Sequence, residues 1–125
     1  MLPSHAGQLQ LVRGVANRGE NRLSETAGAA GPTVSVEPLP AVMARLGVGR
    51  IDVLKIDVEG AEAAVLQPLF AECPQTAWPR LILTEVGREC ATLTDEPHGR
   101  LLERAGYRLR RRTRLNAICE LPVAK

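Results

Sequence analysis

Residues 51–66 have the sequence IDVLKIDVEGAEAAVL. The first part is a β-branched, mostly apolar run, which predicts a strand buried on both faces of a parallel sheet. The run then ends in three carboxylates, Asp57, Glu59 and Glu62, around Gly60. Ligands of open α/β sheets bind outside the carboxyl ends of the strands. The segment therefore predicts a ligand site at the end of this strand.

Helix and strand patterns alternate on both sides of this segment, which is the order of an α/β fold. Pro40 opens one predicted helix and Gly47 ends it, a second helix starts at Gly60, and Gly106 ends a third. Pro68 lies inside the second pattern and predicts a kink or two short helices. The predicted strands and loops are a strand at Leu9–Ala16, a loop at Asn17–Pro32, extended chain at 34–36, a strand near 80–86, a loop at Cys90–Pro97, and a terminal hairpin formed by 107–111 and 115–121.

Composition limits the class of protein. The chain has 125 residues with 45% hydrophobic content, which suits one domain with an aliphatic core. A net charge of +2 gives no general case for nucleic acid, and the arginines of Arg108–Arg114 are expected to form a solvated face. Three cysteines without CxxC spacing favour neither a zinc site nor a disulfide framework. With no signal peptide and no spanning apolar segment, a cytoplasmic protein without membrane contact is expected.

The acids after the central strand are the candidates for chemistry. A carboxylate such as Asp57 can accept a proton from a hydroxyl, hold a cation or orient an amine. Glu62 falls in the first helical turn, where complementing the helix dipole is the ordinary alternative to a binding role. Glu85, at the end of the next strand, is expected to line the same crevice. Lys55 needs a partner or a route to water, and His5 and His98 support no catalytic triad.

IDVLKIDVEGAEAAVL resembles the signature of the FkbM family of S-adenosylmethionine-dependent methyltransferases. The resemblance continues through VSVEPLPAVMARLGV before it, and through WPRLILTEV and LLERAGYRL after it, so that it covers about residues 9–121. It implies the class I methyltransferase sheet, with strand order 3-2-1-4-5-7-6. Within that sheet, Leu9–Ala16 is similar to strand 3, Ile51–Asp57 to strand 4, Arg80–Val86 to strand 5, and the hairpin to strands 6 and 7.

The implied reaction is transfer of a methyl group from S-adenosylmethionine to a hydroxyl of a sugar or secondary metabolite. On this resemblance Asp57 is the catalytic candidate, and Asp57, Glu59 and Gly60 contact the cofactor. Glu85 and Glu62 are the candidates for substrate binding, and no metal is implied.

This chain departs from the family pattern where the cofactor is held. The family's glycine-rich loop after strand 1, and the acid after strand 2, are missing from the sequence. The expected fold is therefore a partial Rossmann-like methyltransferase sheet, with strands resembling 3–7, flanking helices and a C-terminal antiparallel hairpin. Residues 1–32 are expected to be a weakly ordered segment with one short strand, and residues 33–125 the C-terminal part of the domain.

Three functional hypotheses follow from this sequence. The first is a truncated methyltransferase that binds its cofactor weakly when alone. The second is a non-catalytic module that self-associates through the exposed edge of the central strand. The third is a metal-assisted hydrolase using Asp57, Glu59 and Glu62.

Overall fold

The computed structural model describes residues 7–12, 22–24, 33–58 and 60–123. Seven strands and three α-helices lie in these ranges, with two short 3-10 turns at Gln75–Ala77 and Leu93–Asp95. In chain order the elements are β1 (Gly7–Val12), β2 (Arg22–Ser24), β3 (Thr33–Val36), α1 (Leu39–Leu46), β4 (Val53–Ile56), α2 (Glu62–Glu72), β5 (Leu81–Glu85), α3 (Pro97–Ala105), β6 (Arg108–Arg112) and β7 (Asn116–Glu120).

The first three strands form a separate antiparallel sheet with the order β2-β1-β3. β1 pairs on one side with β2, through Leu11 and Leu23, and on the other with β3, through Leu9 and Val34. The prediction of a loop throughout Asn17–Pro32 is wrong at β2, because β1 supplies its backbone partners there. The remainder of that predicted loop, and the end of the predicted strand at 13–16, lie outside the described residues.

The other four strands form a mixed sheet with the order β4-β5-β7-β6. β4 and β5 are parallel and α2 connects them, whereas β7 is antiparallel to both β5 and β6. The terminal hairpin is confirmed, because three residues between β6 and β7 are too few for a parallel crossover. This sheet and its three helices are compatible with part of a methyltransferase fold.

β4 is an edge strand, and the prediction that it is buried on both faces is wrong. Ile56 is buried, but Val53 is 57% exposed and Lys55 is exposed as well. The side chains of alternate residues point to opposite faces of a sheet, and only one face of β4 is covered. Of the two alternatives for Lys55, a partner or a route to water, the structure shows the second. Its ammonium group reaches water directly and needs no buried partner.

All three helices contribute to a core on one face of the mixed sheet. Met43, Leu66, Leu69 and Leu102, from the helices, are buried in one cluster with sheet residues Ile56, Ile82, Ala117 and Cys119. The strand registers place Ile56, Ile82, Ala117 and Cys119 on the same face. The opposite face carries Val53, Lys55, Leu81, Leu83 and Ile118, which are exposed or half-buried and are not part of the cluster.

The helix ends agree well with the sequence patterns. Gly47 and Gly106 adopt left-handed conformations, with φ of 70° and 101°, and terminate α1 and α3 as predicted. α3 starts earlier than the apolar pattern indicated, at Pro97, which suits a first helical turn. Of the two alternatives predicted at Pro68, a kink or two short helices, the second is wrong, because α2 runs through this proline as one helix. Pro68 is buried, and its packing offsets the lost hydrogen bond to Ala64.

Two further findings concern the cysteines and the length of the described helices. Cys73, Cys90 and Cys119 are all free thiols, which agrees with the expectation of no disulfide framework. None of the helices in the described ranges has the length and apolar character needed to cross a bilayer.

Candidate functional site

The acidic segment after β4 forms a turn that leads directly into α2. Asp57 follows the last residue of the strand and is exposed, and the Ala61 N–H donates to the Val58 carbonyl at 3.3 Å. Gly60 has a φ of 95°, a conformation that costs an L-residue about 1–2 kcal/mol and glycine very little. Apart from its two chain neighbours, none of the described residues has an atom within 4 Å of the position that a Cβ would occupy there. The glycine is thus required by backbone conformation, and the space beside it is open. Glu59 lies outside the described residues.

Glu62 lies in the first turn of α2, as predicted, although the helix begins at Glu62 and not at Gly60, and Glu62 is only 6% exposed. Its carboxylate complements the positive end of the helix dipole. A surface residue would serve the dipole equally well, and burying a carboxylate is costly unless it has a partner. Glu62 is therefore a buried acid at the same end of the sheet as Asp57.

Parallel pairing brings the ends of β4 and β5 to one edge. Ile56 is paired with Thr84 across the two strands, so Asp57 and Glu85 occupy neighbouring positions one residue further on. Both are exposed. The structure thus places three of the predicted site residues, Asp57, Glu62 and Glu85, at the same end of the sheet.

His98 holds this end of β5 against α3, a contact that sequence reasoning missed. The side chain is 4% exposed, and its Nε2 lies 3.1 Å from the Glu85 carbonyl oxygen. Since a carbonyl can only accept, Nε2 carries the proton in this hydrogen bond. His98 is separated from Glu85 by thirteen positions, and a single histidine in a polar stretch gave no sign of the contact. His98 itself lies in the first turn of α3.

The loop that follows β5 is fixed by two charged side chains. Glu96 Oε1 accepts hydrogen bonds from the Gly87 N–H at 3.2 Å and from the Cys90 thiol at 3.3 Å. Arg112, from β6, donates to the Cys90 carbonyl at 2.7 Å and to the Gly87 carbonyl at 3.0 Å. Burial, and then the Glu96 carboxylate, raise the pKa of the Cys90 thiol. The thiol therefore stays protonated and is a poor nucleophile.

The arginine cluster otherwise behaves as expected. Arg108, Arg110, Arg111 and Arg114 are exposed, and Arg110 pairs with Glu120 of the neighbouring strand. Arg112 is the exception, because its guanidinium is used within the fold.

The residues that the structure describes form no metal centre at the acidic edge. In the described ranges no group of three or more His, Cys, Asp or Glu side chains is placed to hold a metal ion. The third member of the predicted acidic cluster, Glu59, is outside those ranges. Three cavities lie elsewhere on the molecule, and none of the three is lined by Asp57, Glu62 or Glu85.

Comparison with known proteins identifies a family. The model of a protein family described as "Methyltransferase FkbM domain" matches residues 5–109 of this chain. The searches of curated proteins and of solved structures found no match.

Proposed function

The chain belongs to the FkbM methyltransferase family, and from this premise we propose that it serves the transfer of a methyl group from S-adenosylmethionine to a hydroxyl oxygen of a sugar or secondary metabolite. Family membership indicates methyltransferase activity. The cofactor, the oxygen nucleophile and the acceptor class belong to the proposal.

The observation that supports this most is the position of Asp57. It is an exposed carboxylate directly after a parallel strand, next to the position of Glu85 on the neighbouring strand. Methyl transfer requires little from side chains beyond alignment of the reactants and removal of the hydroxyl proton. We assign to Asp57 the orientation of the acceptor hydroxyl and the acceptance of its proton. Glu62 and Glu85 are proposed to contact the acceptor, and Glu59 and Gly60 to shape the turn beside the cofactor.

S-adenosylmethionine fits the residues present only in part. The carboxylate of Asp57 and the open space beside Gly60 suit a cationic sulfonium and a close backbone approach. A cofactor of this size is normally buried over most of its surface, whereas the acids of this edge line none of the three cavities described above. The glycine-rich loop that wraps the cofactor in the family is also missing from the sequence. We propose that this chain alone binds the cofactor weakly.

Calorimetry combined with amide NMR tests both parts of this proposal. The purified chain is titrated with S-adenosylmethionine, together with Asp57→Asn and the matched control Asp52→Asn, an exposed acid before the other end of β4. We expect no low-micromolar binding, and at millimolar cofactor we expect amide shifts confined to the 57–62 turn. These shifts are expected to disappear in Asp57→Asn and to persist in Asp52→Asn.

Two results would contradict the proposal in different ways. Low-micromolar binding by the chain alone would show that the site is already enclosed. Shifts located away from the 57–62 turn, or unaffected by Asp57→Asn, would show that Asp57 is not part of the site.

A second candidate function, a non-catalytic module that self-associates, is favoured by the free edge of β4. β4 is the outermost strand of its sheet, so one side of its backbone has no strand partner among the described residues. Such an edge can pair with a strand of another chain. Light scattering after size exclusion is expected to show a mass that rises with concentration, and Val53→Lys, which adds a second charge beside Lys55, is expected to lower it. A monomer at every concentration would rule out pairing through this edge.

A further inference from the structure

A cavity of about 370 Å³ lies at the end of the mixed sheet opposite to Asp57. Arg50 and Arg80, which precede β4 and β5, line it together with Trp78 and with Leu121, which follows β7. Backbone hydrogen bonds fix this frame: the Arg80 N–H donates to the Asp52 carbonyl at 3.0 Å, and the Leu121 N–H donates to the Arg80 carbonyl at 2.9 Å. The volume falls within the range of small-molecule pockets, which is roughly 300–1,000 Å³.

The aromatic wall of the cavity is held in place by its own contacts. The Trp78 indole N–H donates to the Cys73 carbonyl at 3.0 Å, and its ring packs against Phe70 with 4.7 Å between centroids. Pro79, the next residue, is fully buried, and its carbonyl accepts the hydroxyl of Tyr107. A surface that is rigid before binding loses little conformational entropy when a ligand arrives. Trp78 therefore provides a fixed flat face for an apolar group.

The charged side chains of the cavity are both cations. Arg50 has an ion pair with Asp52 at 3.3 Å, but both side chains are largely exposed, at 61% and 83%, so this pair is weak and easily exchanged. Arg80 is exposed, and in the described part of the chain no carboxylate pairs with it. No acidic residue is among those that line the cavity. Guanidinium groups bind carboxylates in a two-pronged geometry and also lie against aromatic faces.

From this combination we propose that the cavity binds a small aromatic carboxylate, with the ring against Trp78 and the carboxylate between Arg50 and Arg80. The family's chemistry takes place after the carboxyl ends of the strands, whereas this cavity lies before their amino ends. The site is therefore a second one, and its existence does not depend on the assignment of Asp57.

The chain carries its own reporter for this site, because Trp78 is its one tryptophan. We propose titrating the full chain with benzoate while the indole emission is followed, and with inorganic phosphate and benzyl alcohol as probes of charge and ring alone. We expect benzoate to cause a saturable change in the emission of Trp78. Phosphate lacks the ring and benzyl alcohol lacks the charge, so each is expected to bind at least about 10-fold more weakly than benzoate.

Two charge-removing variants and one control locate the binding. Arg80→Gln and Arg50→Gln are each expected to weaken benzoate binding by about 10-fold, which is the usual effect of losing one charged hydrogen bond. Arg104→Gln, an exposed arginine on α3, is expected to leave it unchanged. The proposal fails if benzoate gives no saturable change in the emission of Trp78, if phosphate or benzyl alcohol binds as well as benzoate, or if the Arg50 and Arg80 variants bind as tightly as the unmodified chain.

Discussion

Replacing Gly99 with alanine should destabilise the protein, whereas the same substitution in a helix usually stabilises it. Gly99 is buried in the first turn of α3, and within a helix alanine is normally favoured over glycine by up to about 1 kcal/mol. A Cβ built on Gly99 would lie 1.8 Å from the Leu93 carbonyl oxygen and 2.6 Å from its carbon. Both atoms are backbone, so rotating a side chain cannot relieve the overlap. α3 would have to move away from the Leu93–Asp95 turn by more than 1 Å, and an overlap of this size lies at the upper end of the usual cost of overpacking, about 3 kcal/mol.

The net effect follows from these opposing contributions. A cost of about 3 kcal/mol less a propensity gain of about 1 kcal/mol leaves a loss of about 2 kcal/mol in the free energy of unfolding. With a urea dependence of about 1.5 kcal/mol per molar, the unfolding midpoint of Gly99→Ala should fall by about 1.3 M. Emission of Trp78, half-buried against Phe70, follows the transition.

Gly49→Ala is the matched control for this experiment. Gly49 lies between α1 and β4, and no atom is found within 4 Å of its added Cβ. Its midpoint should stay the same or rise slightly, since a compatible glycine-to-alanine change adds about 0.4–1 kcal/mol by restricting the unfolded chain. If Gly99→Ala unfolds at the same urea concentration as the unmodified chain, with an unchanged slope, the packing of α3 against the Leu93 carbonyl is not as described.

Three other predictions concern buried polar groups. Tyr107→Phe removes the hydroxyl that donates to the buried Pro79 carbonyl, and should lower the free energy of unfolding by about 1–3 kcal/mol in urea titrations. Thr84→Val should raise the thermal midpoint, because the Thr84 hydroxyl is buried without a hydrogen-bond partner among the described residues and valine has nearly the same shape; a lower midpoint would contradict this. Burial raises the pKa of Cys119 from 9.0 to about 11, so the folded chain retains this proton longer than the unfolded chain does. The contribution of Cys119 to the free energy of unfolding should therefore be complete below pH 9 and be lost as the pH rises toward 11. Urea midpoints measured over that range should decline less in Cys119→Ala than in the unmodified chain.

Local patterns in the sequence determined much of the fold correctly. Gly47 and Gly106 end their helices because a left-handed residue is a local requirement, and the short link between β6 and β7 permits only a hairpin. The common edge of Asp57 and Glu85 also followed from sequence, because two parallel strands end on the same side.

The features that sequence reasoning missed depend on distant parts of the chain. An apolar run such as β4 does not reveal whether one or both of its faces will be covered, and Val53 is exposed because the helices cluster on the other face. The helix at Pro68 continues because tertiary packing outweighs a local preference. The contacts of His98 with the Glu85 carbonyl and of Arg112 with the Cys90 carbonyl join residues 13 and 22 positions apart, and no periodic pattern encodes them.

The one-sided arrangement of the helices also determines how this protein can vary. Along β5, Ile82 and Thr84 point into the packed core, whereas Leu81 and Leu83 point to the face that the helix cluster does not cover. Tolerance to polar replacement should then alternate with every residue, low at 82 and 84 and high at 81 and 83. Substitutions in this strand should therefore accumulate on one side of the sheet. Polar replacements that raise solubility can be made at positions 81 and 83 without disturbing the core.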